Sequence, residues 1–241
     1  MARPAARPLL QGLLRGAGWA IALFIIIALK SAAFAHGVGE DDRAFIEGAS
    51  GMAIGPYMYL GAKHMVTGYD HLLFLVGVIF FLYRLKDVGT YVTLFAIGHS
   101  TTLLIGVLFD IRANPYIVDA IIGLSVVYKA LDNLDAFRTL FGRAPNPKAA
   151  VLIFGFFHGF GLATKLQELT LAKEGLVPNL ISFNIGVELG QFTALGAILI
   201  AMNLWRSTGS FRRSAIAANA ALMCAGFVLV GYQLTGYFTK T

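Results

Sequence analysis

Long apolar runs without charge, closed by short charged turns, decide what this chain can fold into. Residues 90–109, 149–164 and 214–238 contain no Asp, Glu, Lys or Arg. In hydrocarbon every backbone N–H and C=O must find a partner inside the protein. Apolar runs approaching about 20 residues therefore read as spanning helices. Composition agrees: 57% of residues are hydrophobic and 13% charged, where a soluble domain carries about 25% charged residues. No stretch is left for a second, soluble domain. The formal net charge is +6, but the cations sit in short loops between apolar runs. Topology explains them, and nucleic-acid binding is not implied. The lone Cys224, inside an apolar run, excludes an internal disulfide, a CxxC site and an iron–sulfur cluster.

Residues 1–35 read as a secretory signal. Arg3, Arg7 and Arg15 precede the apolar stretch 19–29, and Ala33-Phe34-Ala35 forms an A-x-A cleavage site. That stretch is short for a span. Cleavage leaves residues 36–241 as one transmembrane helical domain beginning at His36, whose amine and imidazole could chelate a cation. Uncleaved, 1–35 is an additional first helix. Residues 48–67 are rich in glycine and contain Pro56. They form either a re-entrant or interfacial piece, or the upper part of a long, broken first helix. The first span then reaches residue 83, and the others are expected at 90–109, 115–131, 149–166, 178–205 and 214–238. The predicted fold is all-α: a polytopic transmembrane helix bundle with six spans after signal removal, or seven with the signal retained. Arg84, Lys86, Arg138, Arg143, Lys148, Arg206, Arg212 and Arg213 all fall in loops on one side. The positive-inside rule makes that side cytoplasmic and places both mature termini outside.

The polar groups within these spans are few. Residues 63–75 read KHMVTGYDHLLFL. His64 and His71 lie two helical turns apart on one face, with Asp70 about 100° round from His71. His99, His158 and Glu188 each stand about ten residues into their spans. At 1.5 Å per residue that is about 15 Å, near the middle of a ~30 Å core. His71, His99, His158 and Glu188 are therefore expected to converge, with His64 and Asp70 toward an outer mouth. Asn184, Glu188 and Gln191 follow i, i+4, i+7 spacing and make one polar helix face. Ser100 adds a hydroxyl beside His99. Ionisable groups at this depth are unfavourable unless they meet a cation, a partner or a water-filled path. Interhelical hydrogen bonding is the simpler use of the same residues. Gly68, Gly98, Gly155, Gly159, Gly161, Gly186 and Gly190 permit either close helix approach or local unwinding. FAIGHS at 95–100 faintly echoes FGFFHG at 154–159.

Imidazole with carboxylate suits divalent nickel, cobalt, zinc or iron more than calcium or magnesium. Met52, Met58 and Met65 would suit copper(I), although methionines in apolar segments usually serve packing. A permease for such a cation needs a site that fills and empties. The enzyme alternative is a membrane-embedded zinc hydrolase, with His71, His99 and His158 as ligands, Asp70 or Glu188 as base and Ser100 as polar helper. No nucleotide-binding motif is present, so any ATP would have to be used by a partner. The membrane potential can drive a divalent cation inward, which favours a secondary transporter.

Four motifs together resemble the HupE/UreJ family of bacterial membrane proteins. They are HMVTGYDH at 64–71 followed by LLFL, FAIGHS at 95–100 with TTL, HGFGLA at 158–163, and FNIGVELGQ at 183–191. The family's H-P-x-x-G-x-D-H signature falls on His64, Thr67, Gly68, Asp70 and His71, with Met65 where proline usually stands. The resemblance implies six spans after signal removal, a place in the bacterial inner membrane, and nickel or cobalt as the transported cation. Family members are linked to hydrogenase or urease maturation. It therefore also implies metalloenzyme-maturation partners, and a further alternative in which the protein assists metalloenzyme assembly without transport or catalysis.

Overall fold

The computed structural model describes residues 51–167 and 174–240, with Ile46 and Gly48. The signal segment 1–35 and His36 lie outside the described residues. Among those residues the chain forms eight helices: α1 (Ile54–Thr67), α2 (Tyr69–Ile79), α3 (Leu85–Leu108), α4 (Pro115–Asn133), α5 (Ala136–Phe141), α6 (Pro147–Gln167), α7 (Leu176–Arg206) and α8 (Ser210–Lys240). Four of them, α3, α6, α7 and α8, are long and apolar enough to cross a membrane. The protein is an all-α, polytopic membrane helix bundle.

The local sequence explains the boundaries. Asn114 caps α4, its side chain accepting from the N–H groups of Tyr116 and Ile117, and Pro115 occupies the first turn. Arg84 and Asn114 at these starts are extended. Gly175, in the left-handed region at φ 77°, begins α7. Gly68 separates α1 from α2 with ψ 99°, which a continuing helix does not allow.

The helices associate in three close pairs, and glycine makes each approach. In α6 a Cβ at Gly159 would stand 2.0 Å from the His99 carbonyl oxygen of α3, and Thr102 donates across the same contact to the Phe156 carbonyl at 2.7 Å. The two echoing fragments thus lie side by side on parallel helices. In α7 a Cβ at Gly186 would stand 1.9 Å from the Met58 carbonyl oxygen of α1. Antiparallel α4 and α8 meet where Gly226 faces Val127. These glycines stay helical, so close approach rather than unwinding is their use. Gly68 is the exception.

The segment 48–67, which its sequence leaves open, has a defined arrangement from residue 51 on. Asn179 of α7 donates to the Gly51 carbonyl at 2.9 Å and accepts from the Ala53 N–H at 2.8 Å. At the other end Arg206 of α7 donates to the carbonyls of Ile79 and Phe80, and stacks over Tyr83 at 4.6 Å. The α1–α2 segment therefore runs beside α7 from one end to the other, as a single helix broken at Gly68. The short α2 is enclosed: His71, Leu73, Phe74, Leu75, Gly77, Val78 and Ile79 are all buried. A helix that is apolar all round belongs in the middle of a bundle. Its last carbonyls, which have no partner within the helix, are met by Arg206 and by Asn133, whose amide donates to Gly77 at 2.9 Å.

Helix α4 carries charge within its length. Asp119 pairs with Lys165 of α6 at 3.0 Å and accepts from Gln233 of α8 at 3.3 Å. Lys129 pairs with Asp132. These groups are turned inward and paired, as charge inside a membrane protein requires.

Candidate functional site

His71, on the first turn of α2, is the hub. Its ring centroid lies 4.8 Å from that of His158 on α6, 5.2 Å from His64 on α1 and 5.7 Å from His99 on α3. His71, His99 and His158 are 2%, 1% and 0% exposed, and His64 is half-buried. The break at Gly68 helps to set this geometry. On an unbroken helix residues seven apart are about 10 Å apart along the axis, yet these two rings touch. Phe95 and Phe74 close the other sides, 5.0 and 5.2 Å from His158.

Asp70 orients the hub. Its Oδ1 accepts from the His71 backbone N–H at 2.9 Å and lies 3.0 Å from ring Nδ1. An ionised carboxylate only accepts, so Nδ1 of His71 donates to Asp70, and in the neutral ring Nε2 is then a lone pair with no protein partner. A Cβ at Gly68 would meet His64 O at 3.0 Å, His71 Nδ1 at 3.1 Å and Asp70 Oδ1 at 3.2 Å, so the break also leaves room for this pair. On the far side of the cluster, Ser125 of α4 is 0% exposed, with Oγ 3.1 Å from His158 Nε2. Sequence reasoning missed Ser125. A single serine in an apolar helix, outside every motif, gives no signal.

Buried nitrogens without a protein partner collect here: Nε2 of His64 and His71, both ring nitrogens of His99, and Nδ1 of His158. Buried polar groups are nearly always satisfied, so this many in one place is unusual. Of the supporting residues, Ser100 Oγ and Asn184 Oδ1 are also buried and unpaired, while Asn184 Nδ2 donates to Leu180 at 3.3 Å. Gln191 is buried, and its amide reaches the Val92 carbonyl of α3 at 3.5 Å.

Two expectations are corrected. Glu188 does not join the cluster: it is exposed on α7, on the side that carries exposed Ile185, Leu189 and Phe192. At about 100° per residue, the spacing places it roughly 40° from Asn184 and 60° from Gln191, which spreads the three across the border between the inner and outer faces. The zinc-hydrolase reading also fails. Among the described residues no three His, Cys, Asp or Glu side chains form a group that could hold a metal ion. The rings of His99 and His158 meet His71 edge against face, at interplanar angles of 70° and 86°. A hydrolase needs a metal fixed by three protein ligands with one position open.

A multi-span helical membrane protein with imidazoles from four helices packed in its interior is the class this fold and site define. Residues 40–241 match the HupE / UreJ protein family, and the chain belongs to that family. No curated protein and no solved structure matches it.

Proposed function

We propose that the protein is a secondary permease for a divalent transition-metal cation, with nickel or cobalt as cargo, and that the ion passes through the histidine cluster. One observation carries this reading: buried, unpartnered ring nitrogens of His64, His71, His99 and His158 gather around a single ring. Neutral imidazole nitrogen is a good ligand for nickel(II) and cobalt(II). Imidazoles packed together without forming a fixed metal-holding group among the described residues suit transit, where a site fills and empties as rings turn. Membership of the HupE/UreJ family supports the same reading.

On this reading α1–α2 and α4 complete six crossings once residues 1–35 are removed. The end bearing Arg84, Arg143, Arg206 and Arg213 faces the cytoplasm of a bacterial inner membrane. His64, nearest the outer side, meets the cation first. His71 receives it, with Asp70 supplying negative charge through the Nδ1–H bond, and His99 and His158 share it at depth. Two charges entering down the potential gain about 4.6 kcal/mol per 100 mV, enough to drive uptake without ATP.

The test is metal content and uptake in proteoliposomes across nickel, cobalt, zinc, iron and copper. Saturable nickel or cobalt uptake that His71→Ala abolishes is the expected result. Metal binding without flux would favour a role in metalloenzyme assembly. A folded protein that neither binds nor moves metal would leave the histidines as packing and overturn the proposal.

A further inference from the structure

Hydrogen bonds at Ser125 determine which atom of His158 is free. The Ser125 Oγ lies 2.6 Å from the Ile122 carbonyl oxygen and 3.1 Å from His158 Nε2. Two oxygens at 2.6 Å require a hydrogen between them, and 3.1 Å is an ordinary N–H···O distance. A serine hydroxyl has one hydrogen, and Ile122 takes it. Toward His158 the oxygen therefore offers only lone pairs, so Nε2 must donate. A neutral imidazole has one N–H, which leaves His158 Nδ1 bare, and that atom is buried without a partner.

A neutral His71 has the opposite arrangement, since Asp70 accepts from Nδ1 and Nε2 is left without a hydrogen or a partner. The two rings, 4.8 Å apart, thus present opposite nitrogens, one fixed by an acceptor on α2 and the other by an acceptor on α4. We propose that Ser125 is a positioning residue: it holds His158 as the Nε2–H tautomer, so that Nδ1 is the atom that receives the cation. This rests on the cation reading above. Ser125 sits on α4, away from every motif that marks the cluster in the sequence.

The test has two parts. Nitrogen-15 NMR of histidine-labelled protein in nanodiscs, with His158 assigned by His158→Gln, reads the tautomer without metal. Cobalt(II) titration then reads affinity. The expected result is a hydrogen on Nε2 and none on Nδ1 in the wild type, lost or mixed in Ser125→Ala. Cobalt binding should then be about 10–100-fold weaker and be recovered in Ser125→Thr, which keeps the hydroxyl. A hydrogen on Nδ1 in the wild type overturns the proposal, and so does an unchanged tautomer in Ser125→Ala. The wild-type spectrum decides even where a variant fails to fold. If the tautomer responds to Ser125 as expected but the wild type binds no cobalt, the tautomer assignment stands and the cation reading falls.

Discussion

Asp70 accepts twice through one oxygen, from the His71 backbone and from its ring. Its place is behind the imidazole, which it orients and makes a stronger ligand. Asp70→Ala is expected to weaken cobalt or nickel binding about 10–100-fold. Asp70→Asn, which keeps an acceptor but removes the charge, should fall between alanine and wild type. Calorimetric titration measures both, and wild-type affinity in Asp70→Ala would remove Asp70 from the site. At the residue scale the sequence is legible through depth and spacing. His71, His99 and His158 stand at similar distances from charged span ends, and they do meet. Glu188 shares that depth but not the direction, because the angle at which its helix sits is set by Gly186 and Gly190 packing on α1. Ser125 has no pattern to announce it.

Among the helices, the close approaches make a sharp prediction. Gly159→Ala and Gly186→Ala place a methyl 2.0 and 1.9 Å from carbonyl oxygens of the neighbouring helix. Backbone has to move, so each should lose about the 1–3 kcal/mol of stability typical of overpacking. Gly231→Ala on α8 meets nothing within 4 Å, and its higher helix propensity should leave stability equal or raised by up to about 1 kcal/mol. Thermal unfolding in detergent separates the three, and equal stabilities would contradict the packing described. The apolar runs alone make α3, α6, α7 and α8 legible in the sequence. The break between α1 and α2 is harder to place, because several glycines in 48–68 could each interrupt a helix. Contact with α7 keeps Gly61 helical and leaves the turn to Gly68. The Asp119–Lys165 bond is also hidden, since partners on different helices leave no spacing in the sequence.

For the molecule as a whole, the direction of insertion rests on loop charge. Cys224 is the lone cysteine, so Cys224→Ser gives a background for site-directed labelling. An impermeant maleimide applied to spheroplasts should label Asp110→Cys and spare Arg143→Cys, both residues being exposed. The opposite pattern would invert the topology and with it the direction of transport. The central claim is that imidazoles gathered around His71 ligate the cargo. X-ray absorption of cobalt- or nickel-loaded wild-type protein, beside His158→Ala, tests it most directly. More than one imidazole nitrogen on the metal is predicted in the wild type, and one fewer in the variant. A metal bound by oxygen alone, or the same spectrum in both proteins, would contradict it.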